Sequence, residues 1–337
     1  MIHIDGSIGG GQILRSSLCL SIVTGQPFLI TKIRASRPKD GLMAQHLTCV
    51  RAAQRVGGAF VQGDSKRSTQ LQFEPAGLFA GHYRFDVGTA GSAALVLQTV
   101  LPALMCAEDS SVVEVTGGTH NPWAPPFRFL LKAFSGVLRD HGADLQLELI
   151  RPGFFPTGGG TIEARIGPGR LGQLDLREAG KRKPARAFAL VAGLDEQIGE
   201  RELRTLRKND VECRVAEVDL WPSAGPGNAL EVELPSKALT EVVTQLGKQG
   251  LPAEEVAKKC ARQVRKHLRS GAPVGEHLAD QLLLPMALGQ GGVFRTSWIS
   301  DHTRSNAQVI RVFLPQVDIR WERLGKKLFE LRVNAGG

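Results

Sequence analysis

His302 sits in SDHTRSNAQVIRVFLP (residues 300–315), after an apolar stretch, VFRTSWIS, and before a run of helical character. A lone imidazole there fits three roles: nucleophile, metal ligand or turn residue. Near the other end of the chain, Gly9, Gly10 and Gly11 precede a helix expected over Gln12 to Val23. Glycines let a backbone approach a ligand closely, and a helix N-terminus offers unpaired N–H groups, so this junction suits an anion. The pattern is neither a Walker A sequence nor GxGxxG, and taken alone it reads by default as a packing turn. Arg34, Arg37 and Lys39 cluster where a strand runs towards a helix, the place where α/β folds bind ligands, and guanidinium groups there suit phosphates. The five cysteines (Cys19, Cys49, Cys106, Cys213, Cys260) form no CxxC or Cys/His pair, which argues against a disulfide framework or a zinc site.

Elements of one repeating plan position these residues. HIDGSIGGGQILRSSLCLSIV, RFDVGTAGSAALVLQTVLPAL and VGEHLADQLLLPMALGQ each read as a short strand, a turn and an apolar helix. Each is followed by a second strand-like segment and another helix, giving a βαβ(α)β unit three times over. Aligning ITKIRASR, VEVTGGTH and FRTSWISDH puts Arg37, His120 and His302 at nearly equivalent positions, so residues from different units could converge on one site. The gap from Ser92 to Asp280 exceeds that from Gln12 to Ser92 by the length of a small inserted domain. The expected division is a core over residues 1–180 (repeats one and two and the start of three), an inserted α/β domain over 181–272, and the third repeat over 273–337. Within the insert, PAEEVAKKCARQVRKHLRS reads as an amphipathic helix with Val256, Cys260, Val264 and Leu268 on one side and basic residues on the rest.

Bulk properties narrow the class. The 337 residues exceed one ordinary core, and the 42 basic against 33 acidic residues give a net charge of +9, which favours a polyanionic partner such as RNA or a nucleotide. The longest apolar run, AALVLQTVLPALM, is broken by polar residues and proline and falls short of the roughly 20 residues that span a bilayer. The opening MIHIDGSIGGG has neither the basic start nor the apolar segment of a secretory signal, so a cytoplasmic chain with no membrane span is expected.

The motifs DGSIGGGQILRSSLCLS, RASRPKDGLMAQHLT, GTAGSAALVLQTVLPAL, GGTHNPWAPP, GFFPTGGG, GPGN, GEHLADQLLLPMAL and SDHTRSNAQVIRVFLP, in that order, resemble the RNA 3′-terminal phosphate cyclase family from end to end. The resemblance implies an α/β (α+β) fold of three tandem βαβαββ-like repeats, similar to the C-terminal domain of translation initiation factor 3, with a smaller inserted α/β domain. It implies ATP-dependent conversion of an RNA 3′-phosphate to a 2′,3′-cyclic phosphate, with release of AMP and diphosphate. His302 falls on the family's nucleophile, which forms a covalent adenylyl-histidine, and Asp280 on a carboxylate that orients its ring. His277, Leu278, Ala279, Asp280 and Gln281 match a nucleotide-binding segment, and Gln98 matches another ATP contact. Arg15, Arg34, Arg37 and Gln45 match polar residues suited to phosphates, and Ala124 and Pro125 part of an adenine wall. The cofactors implied are ATP and a divalent metal, Mg2+ or Mn2+; the partner is an RNA with a 3′-phosphate end, and the oligomer considered is a homodimer.

Two positions depart from the family pattern. Ile8 stands where many cyclases carry a glutamate associated with metal and phosphate contacts, and His277 stands where tyrosine is common. Two rivals are weighed against this reading. A non-catalytic, ribosome-assembly branch of the family lacks the nucleophile that His302 supplies, and an enolpyruvyl transferase does not account for SDHTRSN or EHLADQ.

Overall fold

Three stretches of the chain build the same small sheet. A computed structural model describes residues 1–7 and 9–336; Ile8, where the departure from the family pattern falls, lies outside the described residues. The first repeat runs β1 (Ile2–Asp5), α1 (Gly11–Thr24), β2 (Phe28–Thr31), α2 (Ala44–Gly57), β3 (Phe60–Gln62) and β4 (Leu71–Glu74), and its strands lie in the order β1-β2-β4-β3. The second runs β5 (His82–Asp86), α3 (Ala93–Leu104), β6 (Ser111–Gly117), α4, β7 (Leu145–Arg151) and β8 (Gly160–Ile166), in the order β5-β6-β8-β7. Helix α4 is π-helical over Phe129–Phe134 and α-helical over Ser135–Asp140. In both sheets the first two strands are parallel, as a strand–helix–strand crossover requires, and the last two return antiparallel.

The third repeat begins ahead of the insert. Its first strand is β9 (Leu174–Leu176), which pairs in parallel with a later strand, Gly292–Thr296. Val274, read as that first strand, makes only a single bridge to Thr296. A fourth sheet and its helices intervene: β10 (Ala185–Ala192), α5 (Gln197–Lys208), β11 (Cys213–Trp221), β12 (Gly227–Pro235), β13 (Thr240–Leu246) and α6 (Ala253–Ser270), with strand order β11-β10-β12-β13. The chain then resumes with α7 (Glu276–Leu288), β14 (Gly292–Thr296), α8 (Asp301–Phe313), β15 (Asp318–Gly325) and β16 (Leu328–Asn334), closing a sheet of order β9-β14-β16-β15. Three residues of strand carry little local signal, so only pairing at long range reveals β9.

Helix α1 organises the centre. Its buried residues, Ile13 to Ile22 with the exception of Arg15, cover nearly its whole circumference, because α1 packs on α3 of the second repeat and α8 of the third. Leu14 and Leu18 are fully buried, and such a side chain contributes about 2 kcal/mol. Gly25, at φ 69°, ends the helix in the left-handed region that favours glycine. The three repeats share one core, while the insert has its own around Leu206, Leu230, Val232, Val256, Cys260 and Val264. Leu268, read as part of that apolar stripe, is exposed instead, on the wall of a cavity between insert and core. Of the cysteines, Cys19, Cys49 and Cys260 are buried, whereas Cys106 is exposed and Cys213 half-buried. Among the described residues, no helix is long and apolar enough to cross a membrane.

Candidate active site

The N-terminus of α8 meets the N-terminus of α1. Ser300 caps α8, its Oγ accepting the Thr303 N–H at 3.0 Å, and His302 follows in the first turn. The imidazole is open to solvent on one edge. On the other, neighbouring groups displace water, which lowers its pKa from the ordinary value; Arg15 and Arg37 push the same way, and Asp301 opposes them. A neutral imidazole with a free lone pair, set beside two guanidinium groups and a helix N-terminus, is an arrangement for attack on a phosphorus centre.

The glycines are required by what surrounds them. A Cβ on Gly9 would lie 2.7 Å from Ser305 Oγ of α8, and one on Gly11 would lie 2.6 Å from His46 Nε2 and 3.3 Å from the Arg15 guanidinium. Gly10, at φ 67°, lies under the Arg37 guanidinium, 3.4 Å from where its own Cβ would be. Residues from α1, α2, α8 and the loop after β2 thus crowd one short backbone segment. The sequence marks His46 only by its helical spacing with Leu42, Cys49, Val50 and Ala53. It is buried, but its Nδ1 accepts the Met43 N–H at 3.2 Å, so the neutral ring carries its proton on Nε2, facing Gly11. Burial first, then Arg34 and Arg15, hold its pKa down to about 3. It is an uncharged donor among cations.

Asp280, on α7, lies near Arg15, and burial raises its carboxyl to about 7 against the pull of a backbone N–H and of Arg15. Among the described residues no hydrogen bond joins it to the His302 ring. A different residue links these helices. Asn306, buried on α8 one turn beyond His302, accepts from Ser16 Oγ at 2.7 Å and donates to the Asp280 carbonyl at 2.9 Å, tying α1, α7 and α8 together. Its place four residues after His302, on the same helix face, was the available signal.

The remaining expected residues fall into three groups. Gln98 of α3 donates to Gln281 of α7 at 2.6 Å, joining two positions assigned to the nucleotide; His277 is exposed. Leu278 and Ala279 are fully buried, so their side chains face the core and only the backbone of that turn is free to meet a ligand. Gln45 accepts the Ser92 N–H at 2.7 Å, and Arg34, at φ 56°, donates to the Gly41 carbonyl at 3.0 Å; both are spent partly on holding loops. Ala124 and Pro125 lie half-buried on the loop between β6 and α4, which Asn121 anchors to the Ala90 carbonyl. His120 does not join the cluster, although the repeat alignment put it in register with Arg37 and His302. It is 1% exposed, stacked on Phe154 at 5.1 Å, and its Nε2 has no hydrogen-bond partner. A cavity of about 250 Å³ lies elsewhere, at the seam between insert and core, lined by Arg182, Glu241, Arg265 and His267 among others.

Comparison with known proteins bears on this arrangement. The family model for RNA 3′-terminal phosphate cyclase matches residues 7–319. An RNA 3′-terminal phosphate cyclase of Ectopseudomonas mendocina is 44% identical over 337 residues, covering 99% of this chain and 98% of its own. One from Koribacter versatilis is 49% identical over 322 residues, covering 94% and 90%. A solved structure of the enolpyruvyl transferase NikO from Streptomyces tendae aligns with 100% of this chain and 48% of its own at 11% identity and a TM-score of 0.39, too low a likeness to bear on fold or function. With the motifs in order, the thrice-repeated sheet and relatives that align almost end to end, the chain belongs to the RNA 3′-terminal phosphate cyclase family.

Proposed function

We propose that this protein uses ATP to convert an RNA 3′-terminal phosphate into a 2′,3′-cyclic phosphate through an adenylyl group carried on His302. The observation that carries the proposal is the meeting of an imidazole held neutral with Arg15, Arg37 and a glycine segment at the N-termini of α1 and α8. In the first step the unprotonated ring nitrogen of His302 attacks the α-phosphorus of ATP; a P–N bond forms and diphosphate leaves. Arg15 and Arg37 offset the charge that builds on the phosphoryl oxygens, and His46 adds an uncharged N–H donor facing the glycines. In the second step an oxygen of the RNA 3′-phosphate attacks the same phosphorus and the P–N bond breaks, leaving an RNA adenylate. In the third, the neighbouring 2′-hydroxyl attacks the terminal RNA phosphorus, loses its proton and expels AMP. Only ribose carries that hydroxyl, which makes RNA the substrate. His277, the backbone at Leu278, and Gln98 with Gln281 form the nucleotide side of this reading, with Ala124 and Pro125 as the adenine wall.

The fit of a divalent ion is narrower. Among the described residues no three His, Cys, Asp or Glu side chains converge as a metal site, and Ile8 offers no ligand. An ion such as Mg2+ bound mainly through nucleotide phosphates needs few protein ligands and enters with ATP as substrate.

The test is direct. Incubation with α-labelled ATP should leave AMP on the protein in a bond labile to acid and stable to alkali, as a phosphoramidate is, with mass spectrometry mapping it to His302. AMP mapped to a lysine such as Lys39 would overturn the proposal.

A further inference from the structure

The insert reaches the proposed nucleotide site from two sides, through carboxylates that are almost wholly buried. On one side, Glu241 of β13 is 6% exposed, and its Oε2 accepts the Gly275 N–H at 2.7 Å. Gly275 is the N-cap of α7, and no side chain within that helix caps it. The cap is supplied by the insert, immediately ahead of His277 and Leu278. On the other side, Arg128 follows the loop that carries Ala124 and Pro125. Its guanidinium donates to Glu231 at 2.9 Å and Glu233 at 3.0 Å, both on β12 and at most 1% exposed, and covers the Phe188 ring of β10 at 3.8 Å. The loop itself is closed by the Phe127 N–H on the Thr119 carbonyl at 3.2 Å.

Strand register makes these two independent grips. Glu241 pairs with Leu234, whereas Glu233 pairs with Val242 and Glu231 with Thr244, so Glu241 lies on one face of the insert sheet and the two glutamates that hold Arg128 on the other. We infer that the insert is a brace for nucleotide binding: Glu241 fixes the start of α7, Arg128 with Glu231 and Glu233 fixes the adenine-wall loop, and one rigid sheet sets the distance between them. This inference rests on the nucleotide reading above. Glu241 and Arg128 are positioning residues; neither needs to touch ATP.

The test measures ATP on the full-length protein. Glu241→Ala removes the cap beside an existing cavity, where water can satisfy the freed N–H, so the fold persists but the position of the helix end loosens. The KM for ATP in AMP attachment without RNA should rise about five- to tenfold, as expected for losing one helix cap, with kcat little changed. Glu241→Gln keeps an oxygen acceptor for Gly275 and should stay within about twofold of wild type. Arg128→Lys keeps the charge but loses the fork and should raise KM similarly, while RNA affinity by anisotropy stays put in all three. An unchanged ATP KM in Glu241→Ala, or an equal rise in Glu241→Gln, overturns the brace; should Glu241→Ala fail to fold, Arg128→Lys decides by the same criterion. Calorimetric ATP affinity gives the same comparison without chemistry, so failure of wild type to attach AMP would count against the reaction and not against the brace.

Discussion

His302 and His120 leave corresponding strands of the third and second repeats, and their surroundings give them opposite chemistry. His302 opens α8 with one edge in solvent and two arginines near the other. His120 lies closer to the end of its strand, under the insert, packed on Phe154 and 3.8 Å from the buried Glu231. Burial, reinforced by Arg128, depresses its pKa to about 3. Duplication copied a backbone position but not its cover: the open junction can host a reaction, and the covered one has become part of the seam that holds the insert.

The largest expected effect breaks the comparison at its reactive member. His302→Ala should reduce AMP attachment by about 10⁴-fold or more, because a covalent step has no substitute for its nucleophile, while ATP affinity stays within a few-fold. His120→Gln should leave attachment nearly intact; a comparable loss there would erase the distinction. Next in size, Arg37→Ala removes one guanidinium that, in the proposed reaction, offsets developing phosphoryl charge, and it should lower kcat/KM for attachment by about 10²-fold, measured by label incorporation. Asp280→Ala should slow attachment by about tenfold without abolishing it, since Asn306 still ties α7 to α8 through the backbone carbonyl at 280. A loss as deep as that of His302→Ala would give the carboxylate a direct part in the chemistry.

Acid should separate the two histidines by what each titration affects. In the proposed reaction attachment needs the neutral His302 ring, whose pKa lies below its ordinary value, so the rate should hold at neutral pH and fall only through an acid limb below about 6.5. His120 affects stability instead. Its folded pKa is depressed to about 3 while the unfolded value is near 6.5, so the unfolded chain binds the extra proton between those values. Its contribution is full above about pH 6.5 and is lost as pH falls towards 3, amounting to about 5 kcal/mol at most. His120→Gln should flatten the fall of Tm with acid, and an unchanged slope would mean that another group, such as His46, carries it. The smallest effect belongs to the outer face of the insert. Reversing Lys258, Lys259 and Arg262 to Glu on α6 should weaken RNA binding a few-fold and flatten its salt dependence, with ATP KM unchanged. Loss of AMP attachment in that variant would contradict a division between an RNA-facing helix and a nucleotide-bracing sheet.

Much of the fold was legible because its signals are local. Apolar runs and spacing marked α3 and α6, and the recurring strand–turn–helix pattern announced three copies of one unit. The extra length before Asp280 announced an insert. The motif around His302 and the cations Arg34, Arg37 and Lys39 stood out for the same reason, since a helix start and a charge cluster are written in nearby residues, whereas Arg15 was marked only by the family resemblance. Only tertiary structure decided the rest. Periodicity states that a residue faces something but not what it faces, so His46 looked like core until its Nε2 was found against Gly11, and His120 looked like a partner of His302 until the insert covered it. The parallel pairing of β9 with β14, the Asn306 tie among three helices and the Glu241 cap on α7 each join residues distant in sequence. Such contacts leave no periodic mark at either end, and they exist only because burial of the two apolar cores brings the distant partners together.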